Sequence, residues 1–206
     1  MAAQMQGFGA LSVTRRNFAD GNQLFTAPCD LARGRALFPD LARVLDYWNA
    51  KRGNRLMPSR DHLDPAEMVD FLPRIMLAKV EQPLRFRYRL CGIGVCPVHP
   101  ADQTGLAADE LQPPAYGQLI HGQYAEVLRT RSPALHLNVF DTDDRYRSYA
   151  HLILPLSHDE VSVDMIMTVD SLAQDKVKMM ELLVQLQRNA GIDLGDFYLL
   201  SPNRTT

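Results

Sequence analysis

A few groups of side chains in this sequence could do chemistry. Tyr149 and His151 alternate on a predicted strand, with Ser148 beside them and Asp164 on the next strand. A hydrolytic triad needs a nucleophile, a base and an orienting acid in contact. Ser148 and Tyr149 point to opposite faces of one strand, so His and Tyr here read first as a half-buried surface. Cys91, Cys96 and His99 offer donors for a soft metal, but their spacing is not that of a paired-cysteine knuckle and no fourth ligand stands near. Cys91 follows the arginine side of its strand and reads as a small, partly covered apolar residue. Arg85, Arg87 and Arg89 form a row able to grip an anion, or to pair with acids on an adjacent strand. Asp141, Asp143 and Asp144 lack the glycine and terminal glutamate of a calcium loop. There is no HExxH, no pair of carboxylates on one helix and no phosphate loop, since CGIGV at 91–95 lacks a third glycine and a following helix. The expectation is a protein that is not an enzyme and holds no metal.

The elements that must position these groups are legible from periodicity. In LRFRYRLCGIGV, at 84–95, Phe86, Tyr88 and Leu90 alternate with the three arginines, which predicts a strand with one apolar and one wet face. RIMLAKVE at 74–81 precedes it across Gln82 and Pro83 and makes the other arm of a hairpin. Leu41, Val44, Leu45 and Trp48 keep helical spacing between Pro39, suited to a first turn, and Gly53, suited to a stop. Asp64, Pro65 and Glu67 predict a short helix opened by a capping box. A single helical turn is expected at 107–111 and a longer helix from Pro114 to before Pro133, with Tyr116, Leu119, Ile120, Tyr124, Val127 and Leu128 on its apolar side and His121 near its start.

Three strands follow. Leu135, Leu137 and Val139 alternate in the first, YRSYAHLILPLS forms the second, and Val161, Val163, Met165, Met167 and Val169 share a face of the third. Short polar turns join them, so they form an antiparallel meander. Ser171 and Gln174 predict the start of a last helix of about five turns ending at Gly191, apolar over most of its circumference. Such a helix is buried on more than one side, which predicts a homodimer. Residues 1–36 keep no period and read as a loosely ordered arm with at most one short helix. The whole is an α+β layout: a five-stranded antiparallel sheet with helices on one face and flanking terminal helices.

Composition narrows the function. The chain has 206 residues, 46% hydrophobic and 22% charged, with net charge -2. That balance gives no electrostatic case for nucleic acid. No apolar run approaches the roughly 18 residues of a membrane span, and no secretory leader is evident. Three cysteines, Cys29, Cys91 and Cys96, fit a reducing cytoplasmic setting.

The order of elements resembles the PAS fold, and a set of segments resembles a bacterial single-domain PAS-like family best known in alphaproteobacteria. They are DYWNAKRG at 46–53, LMPSRDHLDP at 56–65, FLPRIMLAKVE at 71–81, FRYRLCGIGV at 86–95, TGL at 104–106 and YAHLILPLSHDEVSVDMIM at 149–167. The resemblance implies a sensory or regulatory module over residues 37–170, preceded by the arm at 1–36 and followed by a C-terminal helix and tail at 171–206. It implies a cavity between sheet and helices without fixing its ligand. Such a cavity would draw on Phe86, Tyr88 and Leu90, on Leu119, Ile120, His121 and Tyr124, and on Val163, Met165 and Met167. With no output segment fused to it, the module is expected to act through a regulatory partner protein, most directly by its arm and last helix. Two alternatives stand beside this reading. One is a ligand-free dimerisation or adaptor domain. The other is a haem or redox sensor, using His121 as helical histidines do in haem-binding PAS proteins, or Cys96, whose Cys-Pro step resembles short haem-regulatory motifs. The Asn-Cys-Arg-Phe context of flavin photochemistry is absent.

Overall fold

Leu41, Val44, Leu45 and Trp48 are the buried stripe of a helix in the computed structural model of the chain, which describes residues 14–17, 23–94, 102–142 and 145–172. This helix, α2 (Pro39–Arg52), starts on Pro39 and stops at Gly53, whose φ of 57° suits glycine. A short helix, α1 (Leu31–Leu37), precedes it, capped by the Asp30 carboxylate on two backbone N–H groups. The predicted helix after Asp64 is a 3-10 turn, Pro65–Met68. Asp64 caps it, but the capping box does not close: the Tyr47 hydroxyl accepts from the Asp64 N–H at 2.8 Å, and Glu67 pairs with Lys51 at 2.6 Å instead. The single turn at Ala108–Glu110 and the long helix α3 (Pro114–Thr130) form where the sequence places them.

β3 (Ile75–Glu81) and β4 (Arg85–Cys91) pair as the predicted hairpin. β5 (Ala134–Thr142), β6 (Arg145–Leu156) and β7 (Met165–Leu172) form the meander, and β3 closes on β7, all antiparallel. The arm departs from expectation. It supplies two strands, β1 (Thr14–Asn17) and β2 (Gln23–Cys29), and β2 pairs along β5, so the sheet has seven strands in the order β1-β2-β5-β6-β7-β3-β4. Pro28 and the polar Thr26 hide this strand from a hydrophobicity pattern, and its partner lies far along the chain.

Register assigns the two sheet faces. Paired residues share a face, so His136, His151 and Asp170 lie in one row, with Tyr88, Ala78, Ile166 and Pro155 on the same face. Leu135, Leu152, Val169 and Ile75 form a row on the other. α3 covers the first face, its Tyr116 and Gln123 reaching Tyr149 and Thr26. α1 and α2 cover the second: Gly34 sits against the Leu135 side chain, and Arg74 joins Asp40 of α2 to the end of β7. Helices thus pack on both faces rather than one. The apolar stripe of α2 needs a sheet face of its own, and β7 is buried on both sides, from Ile166 through Asp170.

Two local shifts matter for the site. A bulge between Leu77 and Ala78 leaves Arg89 as an extra residue in β4, so Leu90 pairs with Leu77 and turns to the face opposite Tyr88, 42% exposed. β7 starts at Met165 and runs through Ser171 and Leu172, so Ser171 is a strand residue and not a helix cap. Val161 lies before it, exposed, in a turn held by Asp159, whose carboxylate accepts from the N–H groups of Val161 and Ser162. The remainder of the predicted last helix lies outside the described residues.

Candidate functional site

The face under α3 is aromatic at one end and polar at the other. Phe86 and Tyr88 rise from β4, and Ile120 and Tyr124 descend from α3, all four at most 1% exposed. The Tyr88 and Tyr124 hydroxyls share a hydrogen bond at 3.1 Å, and the Phe86 ring meets Tyr124 edge-on at 5.4 Å. Tyr116 and Tyr149 make a second hydroxyl pair at 3.2 Å. Burial holds both Tyr88 and Tyr124 well above the usual phenol range, so they act as neutral hydroxyls.

His151 stands between these pairs. Its Nδ1 faces Asp170 Oδ1 at 2.5 Å, with both residues buried. Tyr124 lies nearly parallel to its ring, 6.2 Å between centroids, and Tyr149 lies edge-on at 6.0 Å. The acid partner is therefore Asp170 and not Asp164, which instead accepts from the backbone N–H of His158. Across β5, His136 sits opposite His151, and burial first, then His151, pushes its imidazole down to about 4.

Next to the histidines is a knot of amides. The Thr26 hydroxyl of β2 donates to Asn138 Oδ1 at 2.7 Å and accepts from Gln123 Nε2 of α3 at 3.2 Å. Four of the buried side-chain atoms left without a hydrogen-bond partner belong to this face: His151 Nε2, Asn138 Nδ2, Gln123 Oε1 and, on β7, Thr168 Oγ1. Buried polar atoms are nearly always paired, so a group of unpaired ones marks a place for water or a ligand.

The ten residues expected around a cavity divide. Phe86, Tyr88, Ile120 and Tyr124 meet in one interior, and Leu119 is buried beside them on α3. His121 stands at the rim, its Nε2 3.0 Å from the Leu84 carbonyl and its ring edge-on to Phe86 at 5.2 Å. Leu90, Met165 and Met167 lie on the opposite sheet face: Leu90 through the bulge, the methionines because they pair with Lys79 and Leu77. Val163 is buried in the segment before β7, on neither strand. The residues of β7 that do face α3 are Ile166, Thr168 and Asp170. Thr26, Gln123 and Asn138 were not anticipated, and their signal was present only as polar residues inside otherwise apolar segments.

The other candidates carry less. Arg87 pairs with Glu81 of β3 at 3.0 Å, Arg89 with Glu81 at 3.1 Å and Arg85 with Glu110 of the Ala108–Glu110 turn, so the arginine row is engaged by the protein's own acids. Burial raises the Cys29 thiol to about 11 and raises that of Cys91 as well, which keeps both as thiols. Cys96 and His99 lie outside the described residues. Among the described residues no group of three or more histidine, cysteine or carboxylate side chains could hold a metal, and no helix is long and apolar enough to cross a membrane.

None of the curated proteins compared with the chain matches it. Among solved structures, one match is an RNA-binding light-oxygen-voltage receptor, at 12% identity and a TM-score of 0.44, over 66% of this chain and 42% of that one. The chain thus spans less than half of that receptor's length. A family model described as PAS domain matches residues 38–191, running past the boundary expected at 170 and including the predicted last helix. With that match over most of its length, and with strands β3 to β7 in the arrangement the resemblance implied, the chain belongs to the PAS domain family of sensory and regulatory modules.

Proposed function

We propose that this protein is a PAS-type sensor whose interior, between α3 and the β5–β6–β7 face, binds a small ligand and passes the occupied state to a partner protein. The observation that carries the reading is the set of unpaired buried atoms on this face, His151 Nε2, Asn138 Nδ2, Gln123 Oε1 and Thr168 Oγ1. Each left unsatisfied costs about 1–3 kcal/mol, so an occupant that completes them stabilises the closed arrangement of α3 on the sheet. A ligand shifts a conformational balance only by binding one arrangement better. α3 is the natural reporter, because Tyr88, Tyr149 and Thr26 tie it to three different strands. The apolar arc of residues 173–186 in the sequence supports a homodimer as the relay surface.

Native mass spectrometry on freshly purified protein tests both parts. The expected result is a dimer retaining a small mass that is lost on unfolding. A monomer with no retained mass, unchanged after incubation with cell metabolite extract, removes the sensor reading and the dimer together.

A further inference from the structure

We infer that the interior takes an uncharged molecule bearing a carbonyl-type acceptor beside an N–H donor, the edge of a carboxamide or lactam, and that Thr26 is the positioning residue that sets this preference. The inference rests on the reading above that the interior holds a ligand.

A threonine hydroxyl has one proton to give. Thr26 gives it to the Asn138 carbonyl oxygen and receives one from the Gln123 amide nitrogen. The ends left over are Asn138 Nδ2, a donor, and Gln123 Oε1, an acceptor. Turning both amides over together leaves the same complement, one donor and one acceptor, on the two sides of one hydroxyl. Asp170 likewise occupies Nδ1 of His151 and leaves Nε2 as a third polar point. Asn138, Gln123 and His151 are 0%, 5% and 1% exposed, so bulk water does not serve these atoms.

Charge completes the class. The carboxylate in this region, Asp170, is spent on His151, and neither amide carries charge. A charged ligand would be desolvated here without a counter-ion, whereas a neutral amide edge exchanges one set of hydrogen bonds for another. A purely apolar ligand would leave all of these atoms unpaired, together with the Thr168 hydroxyl on the same face.

Thr26 lies on β2, outside the matched span of residues 38–191. The arm therefore completes the site: without that hydroxyl, the side-chain amides of Asn138 and Gln123 turn freely and their free ends no longer present a fixed donor and acceptor.

The test uses the full chain and three probes of similar size: benzamide, benzoate and toluene. Binding is followed by ¹⁵N NMR on the side-chain amide signals of Asn138 and Gln123, in the parent chain and in Thr26→Ser and Thr26→Val. Benzamide should move both signals and bind roughly tenfold or more tightly than either other probe. Thr26→Ser should keep that ratio, and Thr26→Val should bring it to near unity. If Thr26→Val does not fold, Gln123→Met removes one of the two amides at similar volume and should reduce the ratio in the same way. Toluene or benzoate binding as well as benzamide overturns the ligand class, and a ratio preserved in Thr26→Val overturns the role of Thr26. Either result leaves an interior that holds small molecules. No interior signal moved by any probe overturns this inference and the sensor reading alike.

Discussion

His136 lacks the buried carboxylate partner that His151 has in Asp170. It lies opposite His151 on β5, and its imidazole is held down to about 4 against an ordinary value of 6.5. The sign of the consequence follows directly. Between pH 6.5 and 4 the unfolded chain binds a proton at this residue that the folded chain refuses, so stability falls as pH drops through that window and levels off below 4. The loss is about 3 kcal/mol at most. Urea unfolding from pH 7 to pH 4 should show it in the parent chain and show a flatter profile in His136→Gln. Equal slopes in the two would mean that the imidazole is solvated in the folded state. The groups facing it from neighbouring elements are His151 and, from α3, Glu126, which acts in the opposite direction.

Elements that carried a local period were legible from sequence: α2, α3, the β3–β4 hairpin, β5 and β6 lie where spacing put them, and β7 follows in the meander but begins at Met165 rather than Val161. What escaped was information that period does not contain. β7 is apolar or buried on both faces, so alternation along it could not say whether Met165 and Met167 or Ile166 and Thr168 meet α3. The pairing of His151 with Asp170 in place of Asp164 depends on how far the preceding turn extends, which only register settles. The Arg89 bulge gives no warning in a strand whose pattern is otherwise regular. That bulge makes a mutational contrast within one strand. Phe86→Ala should cost about 3–5 kcal/mol, because it opens a cavity under α3, while Leu90→Ala should cost under about 1 kcal/mol, as surface changes do. Similar costs in denaturant titrations would restore the unbroken alternation.

For the whole molecule, the arm changes what counts as the domain. β2 covers the edge of β5 and brings buried Ala27 and Cys29 to one sheet face and Thr26 to the other. A chain begun at Asp30 should lose about 2 kcal/mol or more of stability from that apolar burial alone, and its newly open β5 edge should promote association. Calorimetry and light scattering on the truncated chain check both, and an unchanged melting temperature would make the arm an ornament.

Thr26 and Asn138 are 112 positions apart, yet they touch. β2, which precedes β5 in the chain, thus has no berth until β5 has been made. Closing so long a loop adds little to the equilibrium cost, which grows only with the logarithm of length, but non-local pairing is slow. Until β2 is seated, Asn138 and Gln123 lack the Thr26 hydroxyl that joins them. Seating β2 is then the event that joins the two amides. If the interior holds a ligand as proposed, its occupancy would record what surrounded the chain while it was folding, as well as what surrounds it afterwards.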